Sequence, residues 1–326
     1  MIKFSVAVAR ILFIALLMAF EVGAYAEEVY PSKPIRFIIP FTPGGSTSVL
    51  ARLIGQKLSE NWGQQVIVDN RPGGNTIIGS ETLVKSPPDG YTILQVTPFH
   101  VTNPHLVSKL PYDPIKDFAP VATLVVSEFI LVLNPQVPAG DLRELIALAK
   151  SRPGQLNYAS TGNGGATHLA SEFFNIMAGV KIQHIPYKGT VPALTDVIGG
   201  QVQMVFAIPI IAIAHIKSGK LKAIAISGEK RMSTIPQVPT FTEAGLPNFD
   251  VKAWYGILAP AETPKDIVNK LSTEIGRILA LPDIQEKLLG QGMEPYVSTP
   301  EQFAALIKAD LAKYAKIVKA ANIKVD

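Results

Sequence analysis

Cysteine is missing from all 326 residues. Its absence excludes disulfides, thiol nucleophiles and thiolate metal sites together. Charge is sparse: Asp, Glu, Lys and Arg make up 17% of the chain, and the net charge is a mild +4. The positive side chains are scattered, with Lys217, Lys220, Lys222 and then Lys308, Lys313, Lys316, Lys319 placed as on solvated helix faces. No basic stripe interleaved with aromatics occurs, so nucleic acid is not an expected partner. A small positive excess weakly favours anionic ligands. Beyond residue 26, Pro, Gly and charges break every apolar stretch short of the roughly 18–20 residues that a transmembrane helix needs.

The common catalytic signatures are missing too. There is no Gly-x-Ser-x-Gly elbow, no Gly-x-x-x-x-Gly-Lys-Ser/Thr loop and no His-Glu-x-x-His pair. His100, His105, His168, His184 and His215 include no pair at metal-ligand spacing, so neither a metal nor a cofactor is expected. One enzyme alternative stands: a Ser-His-Asp set assembled only in space, with His168 as base and Ser46 or Ser160 as nucleophile, making the chain a secreted serine hydrolase.

What is present begins with an export signal. Lys3 and Arg10 precede the apolar run Ile11–Phe20, and Ala24-Tyr25-Ala26 supplies the small residues a signal peptidase requires. Cleavage after Ala26 is expected, leaving a soluble chain. That chain alternates strand and helix. Ile35–Pro40 reads as a buried strand, Gln65–Asp69 and Tyr91–Thr97 as the second and third strands, and Leu50, Leu53, Ile54 and Leu58 recur at helical spacing between the first two. A second alternating series runs from the helix Asp141–Ser151 to the strand Leu221–Ser227. Such order predicts an α/β fold whose sheets are mostly parallel and flanked by helices. The apolar runs Ala122–Asn134 and Val251–Pro260 are long enough to cross between two lobes. They predict a discontinuous first lobe, 27–127 plus 253–326, around a continuous second lobe, 128–252, joined by a hinge with two crossings.

Two glycine-rich loops each lead from a strand into a helix: Phe41-Thr42-Pro43-Gly44-Gly45-Ser46-Thr47-Ser48, and Ser160-Thr161-Gly162-Asn163-Gly164-Gly165-Ala166-Thr167-His168. A helix N-terminus offers unpaired N–H groups and the positive end of the peptide dipoles, and glycines let backbone approach a ligand closely. In parallel sheets ligands bind beyond the carboxyl ends of the strands, where both loops fall. One loop per lobe predicts a cleft that grips a small anion from both sides.

With their surroundings, these loops resemble a family. Ser32-Lys33-Pro34-Ile35-Arg36 and the Pro-Phe-x-x-Gly-Gly-Ser-Thr stretch look like the opening of the tripartite tricarboxylate transporter substrate-binding proteins, the Bug family. The similarity continues through Val68-Asp69-Asn70-Arg71-Pro72-Gly73, Pro88-Asp89-Gly90-Tyr91-Thr92, Leu110-Pro111-Tyr112-Asp113-Pro114 and Pro186-Tyr187-Lys188-Gly189 to Val238-Pro239-Thr240-Phe241. The resemblance implies a two-lobe, type II-like periplasmic binding protein. It would be a monomer in the periplasm that closes on a small organic acid and hands it to membrane permease subunits; a closed form read by a sensor kinase is the variant use. Carried over, the resemblance places Phe41 as a wall and Pro43, Gly45, Ser46, Thr47 and Ser48 as the first cradle. Ser160, Thr161, Gly162, Asn163, Thr167 and His168 form the second, and Thr97, Gly189, Thr190, Phe206 and Ala207 complete the pocket. Many relatives carry Asp in place of Ser48 and Ala207. Without those carboxylates a ligand ammonium loses its partners, so dicarboxylates or aromatic acids are favoured over acidic amino acids.

Overall fold

The computed structural model describes residues 30–44, 46–187, 189–249, 251–320 and 323. The expected export segment, 1–26, and Gly45 lie outside the described residues. In chain order, β1 (Ile35–Ile39), α1 (Ser46–Trp62), β2 (Val66–Asn70), α2 (Ile77–Val84), β3 (Thr92–Val96) and α3 (Phe99–Leu106) alternate. Next come β4 (Phe118–Glu128) and β5 (Ile130–Leu133), separated by Phe129 alone. A second alternation follows: α4 (Leu142–Ser151), β6 (Asn157–Ser160), α5 (Ala166–Ala178), β7 (Gln183–Pro186), α6 (Thr190–Ile198), β8 (Met204–Ala207), α7 (Pro209–Lys217) and β9 (Lys222–Ile226). The chain closes with β10 (Lys252–Pro260), α8 (Lys265–Leu279), α9 (Pro282–Gly290), β11 (Glu294–Pro295) and α10 (Pro300–Ala320).

Two sheets result, ordered β2-β1-β3-β10-β4-β11 and β7-β6-β8-β5-β9. In each, the first three strands are parallel, and the fourth runs antiparallel to both its neighbours. The two lobes therefore repeat one topology. The chain leaves the first sheet at Phe129 and returns before Lys252, which pairs with Glu128. These are the two crossings of a hinged, two-lobe α/β fold.

β1 is apolar at every position but Arg36, because helices cover both faces of this sheet. On one face the α1 stripe Leu50, Ala51, Ile54 and Leu58 packs with Ile35, Phe37 and Ile39. On the other, Ile38, Leu94, Val96 and Leu258 meet Phe303 and Ile307 of α10. The α10 helix is pinned where the buried Trp254 Nε1–H donates to Asp310 Oδ2 at 2.7 Å. Leu169 of α5 joins this same cluster, so a helix of the second lobe is seated against the first. The second lobe's core centres on stacked and edge-on rings: Phe241 and Phe249 lie 4.1 Å apart, and Phe206 stacks on both.

Asp141 caps α4, accepting from the Glu144 N–H at 2.8 Å. Three elements went unread. α3 carries Pro104, which argues against helix in a sequence but is tolerated near the end of one this short. The two-residue β11 pairs with β4 and is too brief to show a pattern. α9 starts at Pro282, a permitted first-turn proline.

Candidate functional site

Both glycine loops lie at carboxyl ends of parallel strands, the first after β1 and the second after β6. In the first, Pro43 and Gly44 are exposed, and Gly44 takes a φ of 93°, with open space where a Cβ would stand. Ser46 opens α1. Thr47 is nearly buried and falls on the helix stripe that continues Leu50, Ala51 and Ile54 toward the cleft. Ser48 is buried and committed: its Oγ accepts from Asn70 Nδ2 at 3.0 Å, and the same amide donates to the Phe41 carbonyl at 2.9 Å. Asn70, at the end of β2, thus ties both ends of the loop. The half-buried Phe41 ring lies 6.3 Å from Phe99 of α3.

The second loop is shaped by its own hydroxyls and imidazoles. Thr161 N–H donates to Thr167 Oγ1 at 3.0 Å, and Gly162 N–H to Ser160 Oγ at 3.2 Å. Gly162 sits at φ 137°, a conformation that a branched side chain resists. Gly164 N–H donates to His168 Nδ1 at 2.9 Å. A backbone N–H can only donate, so Nδ1 is the acceptor and the His168 proton sits on Nε2. The His168 ring stacks on His184 at 3.8 Å, and His184 Nε2 is 2.5 Å from Ser160 Oγ. Burial, with His184 alongside, pushes His168 down to about 3, and burial pushes His184 down to about 4. Both rings are therefore neutral at pH 7. Tyr158 stacks on His184 and donates to Glu172, whose carboxyl is raised by burial.

In α5 the Leu169 N–H bonds the Gly165 carbonyl at 3.0 Å, so the N–H groups of Ala166, Thr167 and His168 precede the helical ladder. The loop thus presents neutral dipoles rather than side-chain cations. Asn163 is exposed at its tip. The first lobe holds this loop directly: Thr102 Oγ1 donates to the Gly164 carbonyl at 3.2 Å, and the Phe99 ring lies 3.3 Å from where a Cβ of Gly165 would be.

Of the remaining expected residues, Gly189 (φ 113°) precedes α6 and Thr190 opens it, giving a third helix start after β7. Thr97 follows β3, its Oγ1 buried without a partner among the described residues. Phe206 is wholly buried in the aromatic core, and Ala207 is buried opposite Ile130. Sequence reasoning missed Phe99, Thr102 and His184. Pro104 hid the helix that carries the first two, and His184 meets His168 only through the alignment of β7 beside β6.

Residues 50–323 match the family model described as the tripartite tricarboxylate transporter family receptor. BugT of Bordetella pertussis is 36% identical over 302 residues, covering 92% of each chain. A Rhodopseudomonas palustris protein solved with adipate has 33% identity and a TM-score of 0.82, over 91% of this chain and 100% of that one. MatC from the same organism, solved with bound malate, has 32% identity and a TM-score of 0.78, over 89% of this chain and 100% of that one. The described helices include none long and apolar enough to cross a membrane. With the family model covering most of its length and these relatives matched nearly end to end, the chain belongs to the tripartite tricarboxylate transporter receptor family, the group of the Bug proteins.

Proposed function

We propose that this chain is an exported periplasmic receptor that closes two lobes, 27–127 with 253–326 and 128–252, on a small organic carboxylate and delivers it to a membrane permease. The observation that carries this reading is the pair of glycine loops at helix N-termini, one in each lobe, at the carboxyl ends of parallel strands. Each carboxylate would be held by N–H groups of α1 or α5, by Thr47 or Thr167, and by the Nε2–H of His168. Hydrogen bonds to charged groups contribute roughly 1.5–3 kcal/mol each, so a few per carboxylate suffice for micromolar binding after ordering costs. The relatives solved with adipate and with malate favour the same ligand class. Ser48 is already engaged by Asn70, and Ala207 offers no charge, so a ligand ammonium has no carboxylate waiting at either position. Dicarboxylates and aromatic acids fit better than acidic amino acids, and the Phe41–Phe99 pair supplies an apolar wall for their carbon skeleton.

The Ser160–His184 contact has the form of a nucleophile–base pair, yet Ser160 is wholly buried and its hydroxyl is occupied by the loop it shapes. A hydrolase would need it open to substrate. Incubation with a fluorophosphonate should leave the protein unlabelled. A thermal-shift screen of organic acids at millimolar concentration should raise Tm for at least one carboxylate. No stabilisation by any of them would overturn the receptor reading.

A further inference from the structure

A column of stacked rings stands under the second loop. Tyr158 stacks on His184 with centroids 5.0 Å apart, and His184 stacks on His168 at 3.8 Å. Tyr158 and His184 are partners in the β6–β7 register, and His168 comes from the first turn of α5. The outer rings have their own ties: Tyr158 donates to Glu172, and His168 accepts from the Gly164 N–H. The half-buried His184, in the middle, reaches both anchors of the loop. Its ring backs His168, which holds Gly164, and its Nε2 meets Ser160 Oγ, which holds Gly162.

A proton count around Ser160 fixes the direction of that contact. A hydroxyl has one hydrogen and two lone pairs. The Gly162 N–H, at 3.2 Å, can only donate and takes one lone pair. The Gly162 carbonyl, at 3.1 Å, can only accept and takes the hydroxyl hydrogen. The second lone pair then faces His184 Nε2 at 2.5 Å, so that nitrogen carries the imidazole proton. Were the hydroxyl to donate to His184 instead, its oxygen would confront the Gly162 carbonyl oxygen at 3.1 Å, in a place with no exposed surface. Ser160 thus clips both backbone polar groups of Gly162, the residue at φ 137°, and has no capacity left for a ligand. A loop held this way needs little ordering when an anion arrives, which is what preorganisation contributes to affinity.

We propose that His184 is a positioning residue: without touching the ligand, it holds the second loop in its anion-accepting form by donating to Ser160 and backing His168. The effect on binding rests on the carboxylate-receptor reading; the effect on the loop does not, so the two can fail separately. Nitrogen NMR of the ligand-free parent should find the His184 proton on Nε2. His184→Phe keeps a ring in the column but has no donor, whereas His184→Gln restores a donor. The Gly162 amide resonance should shift and its hydrogen exchange quicken in the phenylalanine variant, and both should return toward the parent in the glutamine variant. Calorimetric titration with adipate, with malate and with the acid that raises Tm most should follow the same order. His184→Phe should bind about tenfold more weakly, the scale of one hydrogen bond, and His184→Gln should recover most of that loss. If the phenylalanine variant does not fold, His184→Leu takes its place. A His184 proton on Nδ1, a Gly162 amide unmoved by the loss of the donor, or no recovery with glutamine overturns the role of His184. So does a folded, donor-less variant that binds these acids as the parent does. If no acid binds the parent, the receptor reading falls, and the NMR comparison still decides whether His184 holds the loop.

Discussion

His168 shows how much of the site depends on groups kept neutral. Its Nδ1 accepts the Gly164 N–H, and protonation would put a second proton against that donor. Its pKa is about 3 in the folded protein against 6.5 for the unperturbed side chain. Above pH 6.5 neither folded nor unfolded His168 carries a proton, and there is no linkage. Below it the unfolded chain takes up the proton first, so stability is lost as pH falls through the window between 6.5 and the folded value. His184 and His100, both lowered by burial, act in the same direction; Glu172 and Glu128, raised by burial, act in the opposite one. The clean readout is therefore a difference. Urea unfolding of the parent and of His168→Gln should show the parent losing more stability from pH 7 to pH 5, by about 1–2 kcal/mol. Parallel pH profiles would contradict the assigned neutrality. The loop glycines were legible because a positive φ, as at Gly44 and Gly162, leaves a residue signature. Phe99 and His184 were not, because their places arise from strand register and from a helix disguised by Pro104.

At the scale of elements, β1 and β3 were readable because they are covered on both faces and almost wholly buried, and the half-exposed edge strand β2 because of its β-branched run Val66-Ile67-Val68. β1, β2 and β3 each fall within a residue or two of their expected bounds. The point at which α10 seats on the sheet was not readable, because it depends on a space rather than a side chain. Phe303 lies over Gly256 of β10, and a Cβ at that glycine would approach the ring to 2.2 Å. Gly256→Ala should therefore force the helix outward and cost roughly 1–3 kcal/mol, as overpacking does. Pairing it with Phe303→Leu should recover part of that loss. Chemical denaturation of the two variants checks this. An unchanged midpoint for Gly256→Ala would mean that α10 is not held against the sheet at this point.

For the whole molecule, the two-lobe plan was visible in the long apolar runs at Ala122–Asn134 and Val251–Pro260. The repeated strand order was not, since the sheets share topology without shared sequence. That repetition places the loop after β1 and the loop after β6 in equivalent positions, one on each lobe. The central claim is that these two loops hold one ligand between them. Its most direct test is calorimetric titration of the acid giving the largest thermal shift into the parent, Thr47→Ala and Gly162→Val. Thr47→Ala should weaken a dicarboxylate by about 1 kcal/mol, the loss of one hydroxyl donor. Gly162→Val should weaken it far more, because valine resists a φ of 137° where backbone must approach the anion. Both variants should fold: Thr47 lies in the first turn of α1, where alanine suits a helix, and Gly162 lies on a loop. A monocarboxylate would make only one loop sensitive. If both variants bind the acid as the parent does, the ligand is held elsewhere and the two-loop account is wrong.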